Sequence, residues 1–440
     1  MLKTLKIPVS DLDIGMYVSG LDRPWLETPF FTQGFLVEDP EDLARLRQYC
    51  DFVMVDVRRS SQDTFVKRRQ ALPKADDRKA NLNPKKKTQI SSAERKEALK
   101  ERPRVPLRTI FHGRDIQPYR DETGWEDEHP HAQQALNTLV GDIGDVFAQV
   151  HEGEKLNIIK LRKSCDPIVD SISRNPDACV WVTRLKQHDQ YTYKHSLSAA
   201  IWAVSLGREI GLQRHDLRAL AMGCMLMDVG KLRVDSTVLQ ANRELVPDEA
   251  RQVAEHVNHG LDILEECGIV NQDVIDMVAH HHERHDGSGY PKGLSGNQIP
   301  PFARIAAIVD TYDAITSNRE HAPAISPTNA IKVLYQARDE DFQAELVESF
   351  IKAIGLYPAG TLVELTSGEV GVVVAEYRTR RLRPKIMVLL DAKKRQLKQT
   401  RVIDLQAQET SKKKETIGIK CSLEPEAYDI DLTNVHPPGT

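Results

Sequence analysis

The chain has 440 residues, 40% hydrophobic and 28% charged, with a net charge of −4; this fits a globular protein of two or three domains and argues against DNA or another polyanion as partner. No window nears the ~18 consecutive apolar residues of a membrane span, and residues 1–8 lack the apolar core of a secretory signal. The six cysteines form no CxxC pair, which argues against a disulfide framework or a thiolate zinc site and suits a cytoplasmic protein.

Residues 1–58 read as a small α+β module. Lys6 to Val18 and Phe52 to Val57 carry strand patterns, and Glu41 to Cys50 reads as a short helix started by Asp39-Pro40. Trp25, Phe30, Phe31 and Phe35 cluster near prolines and are expected to form an apolar loop core. The module has no phosphate loop or nucleophile–base pairing, so a regulatory or homodimerising role is the default. Residues 59–128 hold Lys67-Arg68-Arg69 and Lys85-Lys86-Lys87 among polar residues. With so few apolar side chains to bury, this segment is expected to be a charged, largely disordered linker.

From residue 129 to 355 the pattern is helical. Ala135, Leu139, Ile143, Val146 and Val150 recur at three- and four-residue steps, and Leu156 to Ile172, Tyr193 to Ile210, Leu217 to Asp228, Ala250 to Cys267 and Val274 to Glu283 continue the series. Such periods predict amphipathic helices sharing one core, an all-α bundle. Residues 356–405 change to strand patterns at Gly360 to Leu365, Gly371 to Ala375 and Lys385 to Leu390, predicting a small β-meander extension. Residues 406–440 read as a polar tail. The fold class expected is therefore mainly α, with α+β and β-rich additions at the two ends.

Within the bundle, six of the fifteen histidines fall between His256 and His285. A lone histidine is more often a packed or surface residue than a ligand. A cluster flanked by carboxylates at helical spacing points instead to a metal, because neutral imidazole donates a lone pair near neutral pH. Asp228 ends the apolar run Met225-Leu226-Met227, where a carboxylate must be paired, hydrogen-bonded or metal-bound; Gly230 fits a helix cap and Lys231 would project beside it. Asp310 ends another apolar run, and Asp313 lies on the same helix face. His195 opens a third. His256 and His259 share a face, whereas His281 and His282 would diverge by about 100° on a helix and could serve two ions. Histidine and aspartate without cysteine suit Fe, Mn, Ni or Zn. Two such ions are typical of phosphoester hydrolysis.

The run from His281 to Pro291 closely resembles the HHExxDGxGYP signature of HD-GYP domains. Asp310 to Arg319 resembles their D..DA.T..R motif, and Tyr191 to Ser196 resembles the motif carrying a first histidine. The resemblance covers roughly Gln187 to Ile354, and Asp11 to Val18 with Asp22 to Trp25 resembles a module often fused ahead of such domains. It implies an HD-superfamily bundle, two or three metal ions with Fe or Mn first and Ni or Zn second, and hydrolysis of cyclic di-GMP to pGpG and onward to GMP. It also implies His195, Asp228, His256, His281, His282 and Asp310 as ligands. Lys231 and Asp228 would act at the scissile phosphate, Arg319 would bind a phosphate, and Gly289, Tyr290 and Pro291 would shape a substrate loop that also docks diguanylate cyclase domains. Two departures bear on activity. The histidine of the family's His-Asp pair is Met227, a soft and weak ligand. Tyr191 stands where three-metal members carry glutamate, which favours two ions. The alternative implied by Met227 is a degenerate module that binds the nucleotide or a partner protein without hydrolysis; His259 or His280 could stand in for the missing ligand.

Overall fold

Alternating apolar residues build the first sheet. The computed structural model describes residues 4–21, 35–37, 43, 46–47, 50, 52–56 and 104–430, apart from 153, 186–190, 240, 242, 244, 318–322, 378–381, 411–416 and 426. The chain divides into two compact units, residues 1–101 and 102–440. In the first, β1 (Thr4–Pro8), β2 (Tyr17–Leu21), β3 (Phe35–Leu36) and β4 (Phe52–Asp56) form an antiparallel sheet in the order β1-β4-β2-β3. Its inward residues Ile7, Val18, Val53 and Val55 pack with Leu12, Met16, Val37, Leu46 and Cys50. Leu43, Leu46 and Arg47 are helical, in the stretch expected to be a helix. Trp25, Phe30 and Phe31 lie outside the described residues.

The second unit opens earlier than its composition suggests. Residues 104–124, expected as linker, run over the bundle through α1 (Leu107–Ile110), with Ile110 and Phe111 buried in the bundle's core. Arg114 pairs with both Asp216 and Asp273, and the Gln117 N–H donates to the Gly211 carbonyl at 2.8 Å. These partners lie far along the chain, Asp216 by 102 residues and Asp273 by 159, so no local pattern signals them.

The bundle follows: α2 (Trp125–His151), α3 (Ile158–Arg174), α4 (Pro176–Leu185), α5 (Tyr191–Ile210) and α6 (Arg214–Leu226). A 3-10 turn, Val229–Arg233, leads to α7 (Ser236–Leu239), α8 (Pro247–Ala254), α9 (His256–Glu266) and α10 (Gln272–His280). After a long loop come α11 (Pro301–Thr316), α12 (Pro327–Gln336) and α13 (Ala344–Ile354). Side chains of Asn157 and Asn271 accept from the third backbone N–H beyond them and so start α3 and α10. The single helix expected from Ala250 to Cys267 is interrupted at Glu255.

In α6 and α11 most residues are buried, the signature of central helices. Between α5, α11 and α13, Trp202 meets Tyr312 edge-on at 5.2 Å, and Tyr312 meets Phe350 at 5.0 Å. These aromatic contacts fix α5 against α11, which brings His195 to Asp310.

The expected meander is larger than three strands. β5 (Leu362–Leu365), β6 (Val370–Ala375), β7 (Lys385–Leu390), β8 (Gln396–Asp404) and, beyond α14 (Leu405–Thr410), β9 (Ile419–Ser422) form one antiparallel sheet ordered β8-β7-β6-β5-β9. Part of the expected polar tail is thus paired structure. β9 is mostly polar, and its contribution is backbone pairing to β5 rather than a buried face.

The turn after α6 presses directly on α9. A Cβ added to Gly230 would stand 2.0 Å from the His256 carbonyl oxygen and 2.4 Å from the Gly260 nitrogen, both immobile backbone atoms. Gly230→Ala is therefore expected to separate the turn from α9 at a cost of about 1–3 kcal/mol. A lowered calorimetric melting temperature checks this, and an unchanged one rejects it.

Candidate metal and active site

Each helix end delivers one part of the site. Asp228 follows α6 and is 3% exposed; His256 opens α9; His281 and His282 follow α10. Asp228, His256, His281 and His282 each offer a ligand atom, and these atoms all lie within 4.8 Å of one another. His195 from α5 and Asp310 from α11 adjoin this group. His195 Nε2 is 2.9 Å from Asp310 Oδ1 and 3.7 Å from Asp228 Oδ2, so Asp228 lies between the two halves.

All six residues expected as ligands are therefore brought together. His281 and His282 do not diverge as neighbours on a helix would. α10 ends at His280, the chain turns, and the two rings lie 4.0 Å apart, both beside His256. His259 and His280 are not in the four-residue group. Met227 is fully buried among apolar side chains. Arg319 lies outside the described residues.

The hydrogen bonds set the tautomers. His256 Nδ1 is 2.7 Å from the Val253 carbonyl, and His281 Nδ1 is 3.1 Å from that of Val278. A carbonyl only accepts, so both Nδ1 atoms carry hydrogen. In neutral rings this leaves the Nε2 lone pairs facing each other at 3.3 Å with Asp228 Oδ1 3.4 Å from that of His256. Opposed lone pairs beside a carboxylate are a donor set that a divalent cation satisfies. The residues fit a metal.

The charges agree with that division. Burial pushes His256 down to about 4 and, helped by His281, His282 down to about 2, so both rings stay neutral. Burial opposes the charge on Asp228, but Lys231 above all, with His281 and His195, holds it well below the usual carboxylate range. Lys231 Nζ is 2.6 Å from Asp228 Oδ2 and its side chain is about one-third exposed. His195 is the opposite case. Burial would lower its pKa, yet hydrogen bonds to Asp310 and Asp313 raise it to about 10.

Asp313 is the residue whose role the motif reading left unassigned. Its Oδ2 receives His195 Nδ1–H at 2.8 Å, and its Oδ1 lies 3.4 Å from Trp202 Nε1. It thus orients the ring, a task its position one turn after Asp310 could have suggested. Tyr290 stacks on His282 with centroids 4.6 Å apart and planes at 21°, while Pro291 beside it is exposed. Among the described residues no helix is long and apolar enough to cross a membrane.

A helical bundle that gathers histidines and aspartates from five segments, with a lysine on the central carboxylate, defines an HD-domain hydrolase. Residues 180–346 match the HD domain, 4–160 a domain of unknown function, and 362–427 a KOW domain associated with the HD domain. A cyclic di-GMP phosphodiesterase of Pseudomonas aeruginosa is 30% identical over 406 residues, covering 92% of this chain and 89% of the relative. The cyclic di-GMP phosphodiesterase response regulator RpfG of Xanthomonas campestris is 34% identical over 150 residues, 33% of this chain and 39% of that protein. An HDG"Y"P protein from Bdellovibrio bacteriovorus superposes with a TM-score of 0.44 at 15% identity, over 79% of this chain and 98% of that one. The chain belongs to the HD-GYP family of HD-domain phosphodiesterases.

In the metal-free protein these groups pull stability in opposite directions. His256 and His282 have folded pKa values below the ordinary ~6.5, so the unfolded chain takes up more protons and stability falls as pH drops below ~6.5. His195 has a folded pKa above it, so its contribution is complete below ~6.5 and is lost as pH rises toward about 10. To ligate through Nε2, His195 must give up a proton. Titrating the metal-free protein with Mn at pH 7.5 is expected to release about one proton, seen calorimetrically in buffers of different ionisation enthalpy. Buffer-independent heats would contradict this protonation of His195.

Proposed function

We propose that the protein is a metal-dependent phosphodiesterase that hydrolyses cyclic di-GMP to pGpG. The observation that carries the reading is the convergence of Asp228, His256, His281 and His282, with the His256 and His281 Nε2 atoms 3.3 Å apart within the group. The names of the relatives support the nucleotide, and they give no support to a degenerate, non-hydrolytic module.

Six residues would hold the cations: His256, His281 and His282 on one side, His195 and Asp310 on the other, with Asp228 between. Divalent cations held there would supply charge neutralisation on the phosphoryl oxygens and a more acidic water. Met227 contributes no imidazole, so the His195–Asp310 side has fewer nitrogen donors and binds its ion less tightly. Fe and Mn suit this mixed set best.

Lys231 reaches the same carboxylate from its partly exposed side. Its ammonium can turn from Asp228 to a phosphoryl or leaving oxygen and stabilise the charge developing there. Asp313 holds His195 through Nδ1–H, which keeps α5 and α11 in register while leaving Nε2 directed at Asp310 and the cation. Tyr290 is 36% exposed despite its stack on His282, which leaves ring area for a nucleobase. Arg319 is proposed as a phosphate ligand from its motif position alone.

Protein loaded with Mn or Fe is expected to convert cyclic di-GMP to pGpG, followed by chromatography of the products. Lys231→Met should lower kcat by roughly 10²–10³-fold with metal content unchanged. A flat time course with metal demonstrably bound would reject the reading.

A further inference from the structure

The loop from Asp286 to Leu294 folds back onto the turn that carries His282. On the approach, Gly289 lies so close that a Cβ would stand 2.4 Å from the His282 carbonyl oxygen and 2.5 Å from the Arg284 nitrogen. The Tyr290 N–H donates to the His282 carbonyl at 3.3 Å, and the Tyr290 ring lies on the His282 ring. On the return, the two oxygens of one side chain take two backbone amides. Glu283 Oε1 accepts from the Lys292 N–H at 2.8 Å, and Oε2 from the Leu294 N–H at 2.9 Å. Farther out, the His285 and Asp286 N–H groups donate to the carbonyls of Asp341 and Glu340.

Glu283 is 1% exposed and makes no ion pair among the described residues. A buried carboxylate without a counter-cation is costly unless its lone pairs are used, and here both oxygens bind backbone amides. Only a carboxylate offers two acceptor oxygens at such a point; an amide offers one and turns donors toward the second N–H.

We propose that Glu283 is a positioning residue: its carboxylate sets the Gly289–Pro291 loop over the metal cluster and thereby fixes how Tyr290 meets the substrate. The proposal rests on the phosphodiesterase reading above for its substrate, but its structural half does not. Because Glu283 directly follows the ligand His282, one short stretch of backbone carries both the metal side and the substrate side of the site. A shift in the loop therefore alters recognition of a large nucleotide before it alters the cluster.

Glu283→Gln tests this with two readouts on the full chain. Hydrogen exchange of the 288–296 backbone should quicken by about 10-fold or more, while exchange across α6 and α9 and the bound Mn content stay as they were. In turnover, kcat/KM for cyclic di-GMP should fall about 10–100-fold. Cleavage of bis(p-nitrophenyl) phosphate, a small diester with no nucleobase, should change far less. Glu283→Asp keeps both acceptors one methylene shorter and should fall between the two; it carries the test if the glutamine variant folds poorly. Unchanged exchange at 288–296, or equal losses on both diesters, overturns the proposal. Native protein that cleaves the small diester but not cyclic di-GMP would count against the nucleotide, and the exchange result would still decide the role of Glu283.

Discussion

Asp228 is a carboxylate buried in an apolar bundle, and the arrangement of the second unit follows from what that charge requires. Taken from water it must be met by hydrogen bonds or opposite charge. Lys231 meets one oxygen at 2.6 Å, His256 and His281 stand at 3.4 and 3.8 Å from the other, and His195 approaches from the far side. Those partners come from α5, the 3-10 turn, α9 and the end of α10. For all of them to reach one atom pair, the turn must press onto α9, which Gly230 permits, and α5 must lie against α11, which Trp202 and Tyr312 secure. The apolar core therefore serves as scaffolding for a small polar interior.

That interior has two chemically distinct sides. The rings of His256 and His282 are neutral, and those of His256 and His281 face backbone carbonyls through Nδ1. Around His195 the ring is cationic and held between two carboxylates. Met227, next to Asp228 in the chain, is buried in the apolar core, where the resemblance to the family implies an imidazole.

Much of this was legible in the sequence, and what was not has physical causes. The helices declared themselves through apolar recurrence. The candidate ligands did so because a carboxylate or imidazole at the end of an apolar run has few other reasons to be there. The packing of residues 104–124 escaped because it rests on long-range polar contacts from Arg114 and on two apolar anchors, Ile110 and Phe111. The facing of His281 and His282 escaped because their separation in angle assumes a helix that in fact stops at His280. Strand β9 escaped because it contributes backbone pairing to β5 and no apolar face. Glu283 was visible only as a letter within a motif; its use of both oxygens on Lys292 and Leu294 depends on a loop path that no spacing rule encodes.

The separation of the candidate ligands along the chain has a kinetic consequence. His195 meets Asp310 across 115 residues, and His256 meets His281 across 25. Loop closure over such distances must precede any reward from the contact, so pairings of this kind form after local helices. The His256–His281 half can assemble from neighbouring helices, whereas the His195–Asp310 half waits for α11 to dock on α5. During synthesis the residues up to His282 leave the ribosome before α11 does, so the His195–Asp310 half can close only after the imidazole-rich half is already outside.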